Sequence, residues 1–183
     1  MVGFTTMTAG RLDLAALAAG RYGCIEAAAG ELRAVRLRPY PKWVWPWDVL
    51  WRGEWLHRHG TGDRLWIYYN QPRSSPDYLA LKYTVSTRDC TLATLHAALG
   101  TLDEIARLKS SAAIVGDAAN FRLSEKILRR FGWVRHTDDR WHRNFIKRFY
   151  GEYPATRGWL GENNQSKEKA HSQSLSQELC SAV

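Results

Sequence analysis

Apolar and polar positions alternate over Glu31–Arg38, where Leu32, Ala34, Val35 and Leu37 fall among Arg33, Arg36 and Arg38; this near-period of two predicts a strand. Leu65–Tyr69 and Tyr78–Val85 read as two further strands, antiparallel neighbours joined by a short polar turn over Gln71–Pro76. From Thr91 the period lengthens. Leu92, Leu95, Leu99, Leu102 and Ala106 recur three and four apart, which predicts an amphipathic helix to about Lys109, broken by Ser110 and Ser111. Ala112–Val115 is a short apolar run between two helices, as expected of a buried parallel strand. Asn120 is a suitable N-cap for the next helix, with Leu123, Ile127, Leu128 and Phe131 facing inward and Gly132 ending it. Trp133–His136 and Arg140–Tyr150 form a closing hairpin across Thr137–Asp139. The second segment also fits a helix, because Trp141, Phe145 and Phe149 recur four apart.

The earlier part of the chain is less regular. Met1–Gly10 reads as frayed, and the alanine-rich Leu12–Ala29 as a helix interrupted near Gly20 and Gly23. Residues 40–55 hold five tryptophans. After Pro46, Trp47, Trp51 and Trp55 share one helical face, either as a packed stripe or as a platform for a stacked ligand. His57 and His59 flank Arg58 with no third ligand nearby and read as surface residues beside the Gly60–Gly62 turn. After Pro154 the composition turns polar, so 156–183 is expected to be a disordered tail. One domain over 11–155 is the natural division, and no internal repeat is visible.

Composition narrows the classes. Among 183 residues 45% are hydrophobic, enough for a sizeable core, yet no apolar run is long enough to span a membrane. The first ten residues show neither a basic region nor a continuous apolar stretch of the secretory kind, so a cytoplasmic location is expected. Cys24, Cys90 and Cys180 are far apart and lack metal-ligand spacing, which argues for reduced thiols rather than a disulfide framework or a zinc site. The formal net charge is +8, and between Asn120 and Tyr150 Lys and Arg outnumber Asp and Glu nine to three. Such an excess favours an anionic partner, either nucleic acid or a phosphate-bearing cofactor, or else a solvated face.

The order strand, helix, strand, helix, hairpin over Tyr78–Tyr150, with Asn120 capping a helix that carries Ser124 and an apolar pair and ends in Gly132-Trp133, resembles the C-terminal half of a GNAT-type N-acetyltransferase. The resemblance covers roughly seventy residues. It implies an α/β (α+β) fold, a mixed, mostly antiparallel twisted sheet flanked by helices. It also implies acetyl-CoA as cofactor and an unknown amine as acceptor. In such enzymes the strand before the long helix splays from its neighbour and the pantetheine arm pairs with the exposed edge, while the pyrophosphate sits at the helix N-terminus. The corresponding cofactor residues would be Val85, Ser86, Thr87, Arg88 and Thr91, with Asn120 and Ser124 supporting the arm.

Two departures accompany the resemblance. The family's phosphate loop is glycine-rich, whereas Val85–Thr91 has no glycine and includes Asp89; Arg88 and the hydroxyls of Ser86, Thr87 and Thr91 would have to compensate. Many members use a tyrosine as general acid where this chain has Ile127 and Leu128. No catalytic residue is assigned; Asp117 and Tyr83 are the nearest candidates for a general base, and Asp117 equally suits a turn before Asn120. His96 reads as facing solvent or a helix neighbour rather than a site. The Arg140–Tyr150 segment interleaves cations and aromatics, as RNA-binding strands do, so a non-enzymatic basic module for RNA or an acidic protein is the alternative; packed aromatics with an exposed basic side would give the same pattern.

Overall fold

The computed structural model describes residues 5–41, 61–117, 125–138 and 143–154. The tryptophan stripe, His57, His59, Asn120, Ser124 and the polar tail lie outside the described residues. Eight strands form a single sheet: β1 (Thr5–Thr8), β2 (Tyr22–Ala28), β3 (Glu31–Arg38), β4 (Arg64–Asn70), β5 (Tyr78–Ser86), β6 (Ala113–Asp117), β7 (Val134–Asp138) and β8 (Arg143–Arg148). Their spatial order is β1-β3-β2-β4-β5-β6-β8-β7, and only β5 and β6 run parallel. The described helices are α1 (Leu14–Ala19), α2 (Leu92–Leu108) and α3 (Glu125–Arg130). The fold is therefore mixed α/β on a mostly antiparallel open sheet, as expected. No described helix is long and apolar enough to cross a membrane.

Two expectations for the early chain are corrected. Thr5–Thr8 is not frayed but pairs antiparallel with β3, because Met7 lies opposite Val35 and is buried in the core. The alanine-rich stretch keeps only one short helix, α1, opened by the Asp13 side chain accepting from Ala16 N–H. From Tyr22 it becomes β2, a central strand between β3 and β4. Burial of Cys24, Ile25 and Ala27 between two neighbours outweighs the helix propensity of alanine. Gly23 fits there because a Cβ would sit 2.6 Å from the Tyr69 ring. Ala29 and Gly30 (φ 53° and 78°) make the two-residue turn into β3, the geometry that matches strand twist.

One sheet face carries α2. Ile25, Leu65, Ile67 and Tyr69 pack there with Leu95, Ala98, Leu99, Leu102, Ile105 and Ala106. Burying such side chains contributes roughly 1.5–3 kcal/mol each, so this layer dominates the stability of the fold. Thr91 caps α2 by accepting from Thr94 N–H, and Ser110 closes it in a left-handed conformation (φ 51°), with Ser111 N–H reaching Ala106 O. Gly132 does the same for α3, with Trp133 N–H bonded to Leu128 O. β7 continues to Asp138, through the residues expected to turn, and β8 is a strand rather than a helix.

Candidate functional site

The geometry that could hold a ligand begins at the junction of β5 and β6. Among the described residues their parallel pairing runs from Tyr78↔Ala113 to Leu81↔Gly116. β5 continues to Ser86 with β4 as its partner, while β6 continues to Asp117 paired with Asn144 of β8. A bulge lies at this point: Tyr68 lies opposite Tyr83 and Tyr69 opposite Leu81, so Lys82 is an extra residue in β5. Bulges bend the strand and increase its twist, and this one falls directly after the last described β5–β6 pair. The same extra residue puts Tyr83 on the face of Tyr68, opposite the α2 face; their rings lie 6.1 Å apart. At the apex, Leu81 and the Trp133 ring pack against Gly116, where a Cβ would meet both at 3.4 Å.

Backbone direction at the end of β5 follows from one bond. Thr87 N–H donates to Arg64 O, so alternation turns the Val85 peptide towards β4 and those of Thr84 and Ser86 towards the β6 side. An extended ligand could add there as a strand does to a sheet edge. Asp117 is the first β6 residue beyond the described β5–β6 pairs, and Tyr83 is the second of β5.

The expected cofactor residues are brought together only in part. Val85 and Ser86 end β5, half-buried, opposite Trp66 and Leu65. Thr87 is buried at 2% exposure, and its Oγ1 donates to Gly62 O (2.5 Å) or Arg64 O (3.1 Å) while accepting from Arg64 N–H. That hydroxyl ties the end of β5 to the start of β4, which leaves none for a cofactor. Arg88 and Asp89 are exposed at the tip of a turn that Cys90 N–H closes onto Thr87 O. Asn120 and Ser124 are outside the described residues.

Thr91 does sit at the α2 N-terminus, but its donors are engaged by Asp63, which the sequence reading missed. Asp63 Oδ1 accepts from Thr91 N–H at 2.9 Å; its Oδ2 accepts from Thr91 Oγ1 at 2.8 Å and from Thr94 Oγ1 at 2.6 Å. Thr94 Oγ1 in turn accepts from Gly30 N–H at 2.7 Å. Partial burial by itself would raise the Asp63 carboxyl, yet the bonds from Thr94 and Thr91 outweigh it and hold the group below its ordinary value. Asp63 is 28 residues from Thr91. No local pattern announces such a contact; an Asp in a turn beside glycine is the whole signal.

The basic C-terminal segment departs from expectation at one residue. Phe145 and Phe149 face the core, as packing predicts, and Lys147 on the same face is buried and bonds Asp103 of α2 at 2.6 Å, while Arg148 on the other face is exposed, as are Lys126, Arg129, Arg130 and Arg135. Trp133 is buried too, and Arg129 pairs with Glu125 within α3. Tyr150 is the one strongly exposed aromatic of the segment among the described residues. Trp141 is outside them. His96 is exposed and meets the Phe131 ring at 5.5 Å. No protein-family model matches the sequence, and no curated protein matches it.

Proposed function

We propose that this chain is a diverged GNAT-like acyltransferase that lays the pantetheine arm of an acyl donor such as acetyl-CoA along the end of β5 and passes the acyl group to an amine. The observation that supports the reading is the β-bulge at Lys82, directly after the last described β5–β6 pair at Leu81 and Gly116. Amide groups of an extended arm suit the Thr84 peptide there, and the thioester would come to rest towards the apex at Gly116. Attack of a neutral amine on the thioester carbonyl forms the C–N bond; collapse breaks the C–S bond, the amine proton passes to a base, and the thiolate leaves to be protonated. Tyr83 and Asp117 are the groups to test for the proton.

The competing reading, a basic module for RNA or an acidic protein, keeps the exposed Lys126, Arg129, Arg130, Arg135 and Arg148 but loses stacking partners to the burial of Trp133, Phe145 and Phe149. Calorimetric titration with acetyl-CoA, with desulfo-CoA as the unreactive comparison, tests the proposal. Saturable binding of both at or below about 1 mM is expected. No heat with either ligand at that concentration, alongside salt-dependent RNA binding, would replace it with the basic-module reading.

A further inference from the structure

The start of α2 is where a nucleotide-bearing donor would need its anion held, and there the chain supplies an anion of its own. Both oxygens of Asp63 accept hydrogen bonds from Thr91 and Thr94. The remaining amides of the preceding turn are also reduced in number: Thr87 N–H bonds Arg64 O and Cys90 N–H bonds Thr87 O. At the exposed tip the Asp89 carboxylate and the Arg88 guanidinium offset one another, so Asp63 sets the local charge. A pyrophosphate brought to this helix end would meet a fixed negative charge instead of free donors, and like charges a few ångström apart repel strongly in a partly desolvated site. The end of β5, on the other side of Thr87, makes no such demand, because what it offers an extended arm is the peptide of Thr84.

Resting on the acyl-transfer reading above, we infer that Asp63 is a specificity-determining residue that closes the α2 N-terminus to a nucleotide, so that the donor is an acyl thioester on a pantetheine-type arm recognised without its nucleotide. The arm can be free or carried on a larger molecule; the chemistry at β5 is the same for both. The distinction matters because the grip on the donor then comes from the arm alone, and the donor's charged end contributes little or works against binding.

Three ligands separate the cases: S-acetylpantetheine, its 4′-phosphate and acetyl-CoA, each titrated into the full chain and into D63N. Asparagine keeps an acceptor for Thr91 N–H while removing the charge. In the native protein acetyl-CoA is expected to bind within about threefold of S-acetylpantetheine, because the nucleotide adds no net attraction. In D63N acetyl-CoA should tighten about tenfold while S-acetylpantetheine stays within about twofold, the mark of one removed repulsion near the phosphates. Acetyl-CoA binding more than about thirtyfold tighter than S-acetylpantetheine to the native protein would overturn the inference and leave the acyl-transfer reading standing. Failure of all three ligands to bind the native protein would overturn that reading, and the inference with it. The native comparison needs no variant, so it decides the question even where D63N does not fold.

Discussion

Asp63 and its two threonine partners show how one carboxylate can set the chemistry of a helix end. Its hydrogen bonds hold the folded-state carboxyl below the ordinary value of 3.8, so its contribution to stability is present above that value and is lost as pH falls through the lower folded value. Acid titration of stability should therefore be less steep below about pH 4 in D63N than in the native chain, read by denaturant unfolding at a series of pH values. Equal slopes would mean that the network carries no proton-linked stability. Ser110 makes a second case. It ends α2 with φ 51°, where a side chain costs roughly 1–2 kcal/mol, part of which glycine gives back as extra freedom in the unfolded chain. Ser110→Gly should raise stability by about 0.5–1 kcal/mol in urea unfolding, and a loss of stability would show that the hydroxyl matters more than the backbone. Neither residue stands out in the sequence: Ser110 reads as a helix breaker, and Asp63 gains its role from a contact 28 residues away.

At the level of elements, α2 is joined to β8 by the buried pair Asp103–Lys147, with both side chains 8% exposed. Burial pushes the Asp103 carboxyl up, and the adjacent ammonium only partly offsets it, so the pair is held under a desolvation penalty. Removing one partner leaves the other charge buried alone. Lys147→Met should destabilise by about 3–5 kcal/mol, and adding Asp103→Leu should recover most of that loss. A cost below about 1 kcal/mol for the single substitution would mean the pair contributes little. The end of α2 is tied separately to α1, through Lys109 Nζ donating to Ala18 O and Gly20 O at 2.8 and 2.6 Å. Elements with a clean period were legible in advance: β3, β4, β5, α2 and β6 fall within a residue or two of the expected bounds. β1 and β2 were not, because a four-residue edge strand has too few positions to show alternation, and alanine favours a helix until neighbours on both sides decide otherwise. Lys147 was misread for a related reason, since alternation along β8 reports its face but not that α2 brings a carboxylate to meet it.

For the molecule as a whole, six of the seven junctions between the described strands are antiparallel, and the one parallel junction, β5 with β6, is where the proposed arm would enter. The expectation of a splayed strand came from the resemblance of Tyr78–Tyr150 to the GNAT family. The bulge at Lys82, which falls where that splay was expected, could not be seen in the sequence, since a bulge is defined by the partner strand and not by its own composition. The account stands or falls on whether the end of β5 takes an extended arm. Amide hydrogen exchange across Lys82–Ser86, with and without saturating S-acetylpantetheine, tests this most directly. The account predicts slowed exchange at Thr84, whose peptide faces the β6 side, with little change at Val85, which faces β4. Unchanged exchange at Thr84 with protection appearing elsewhere in the chain would contradict it.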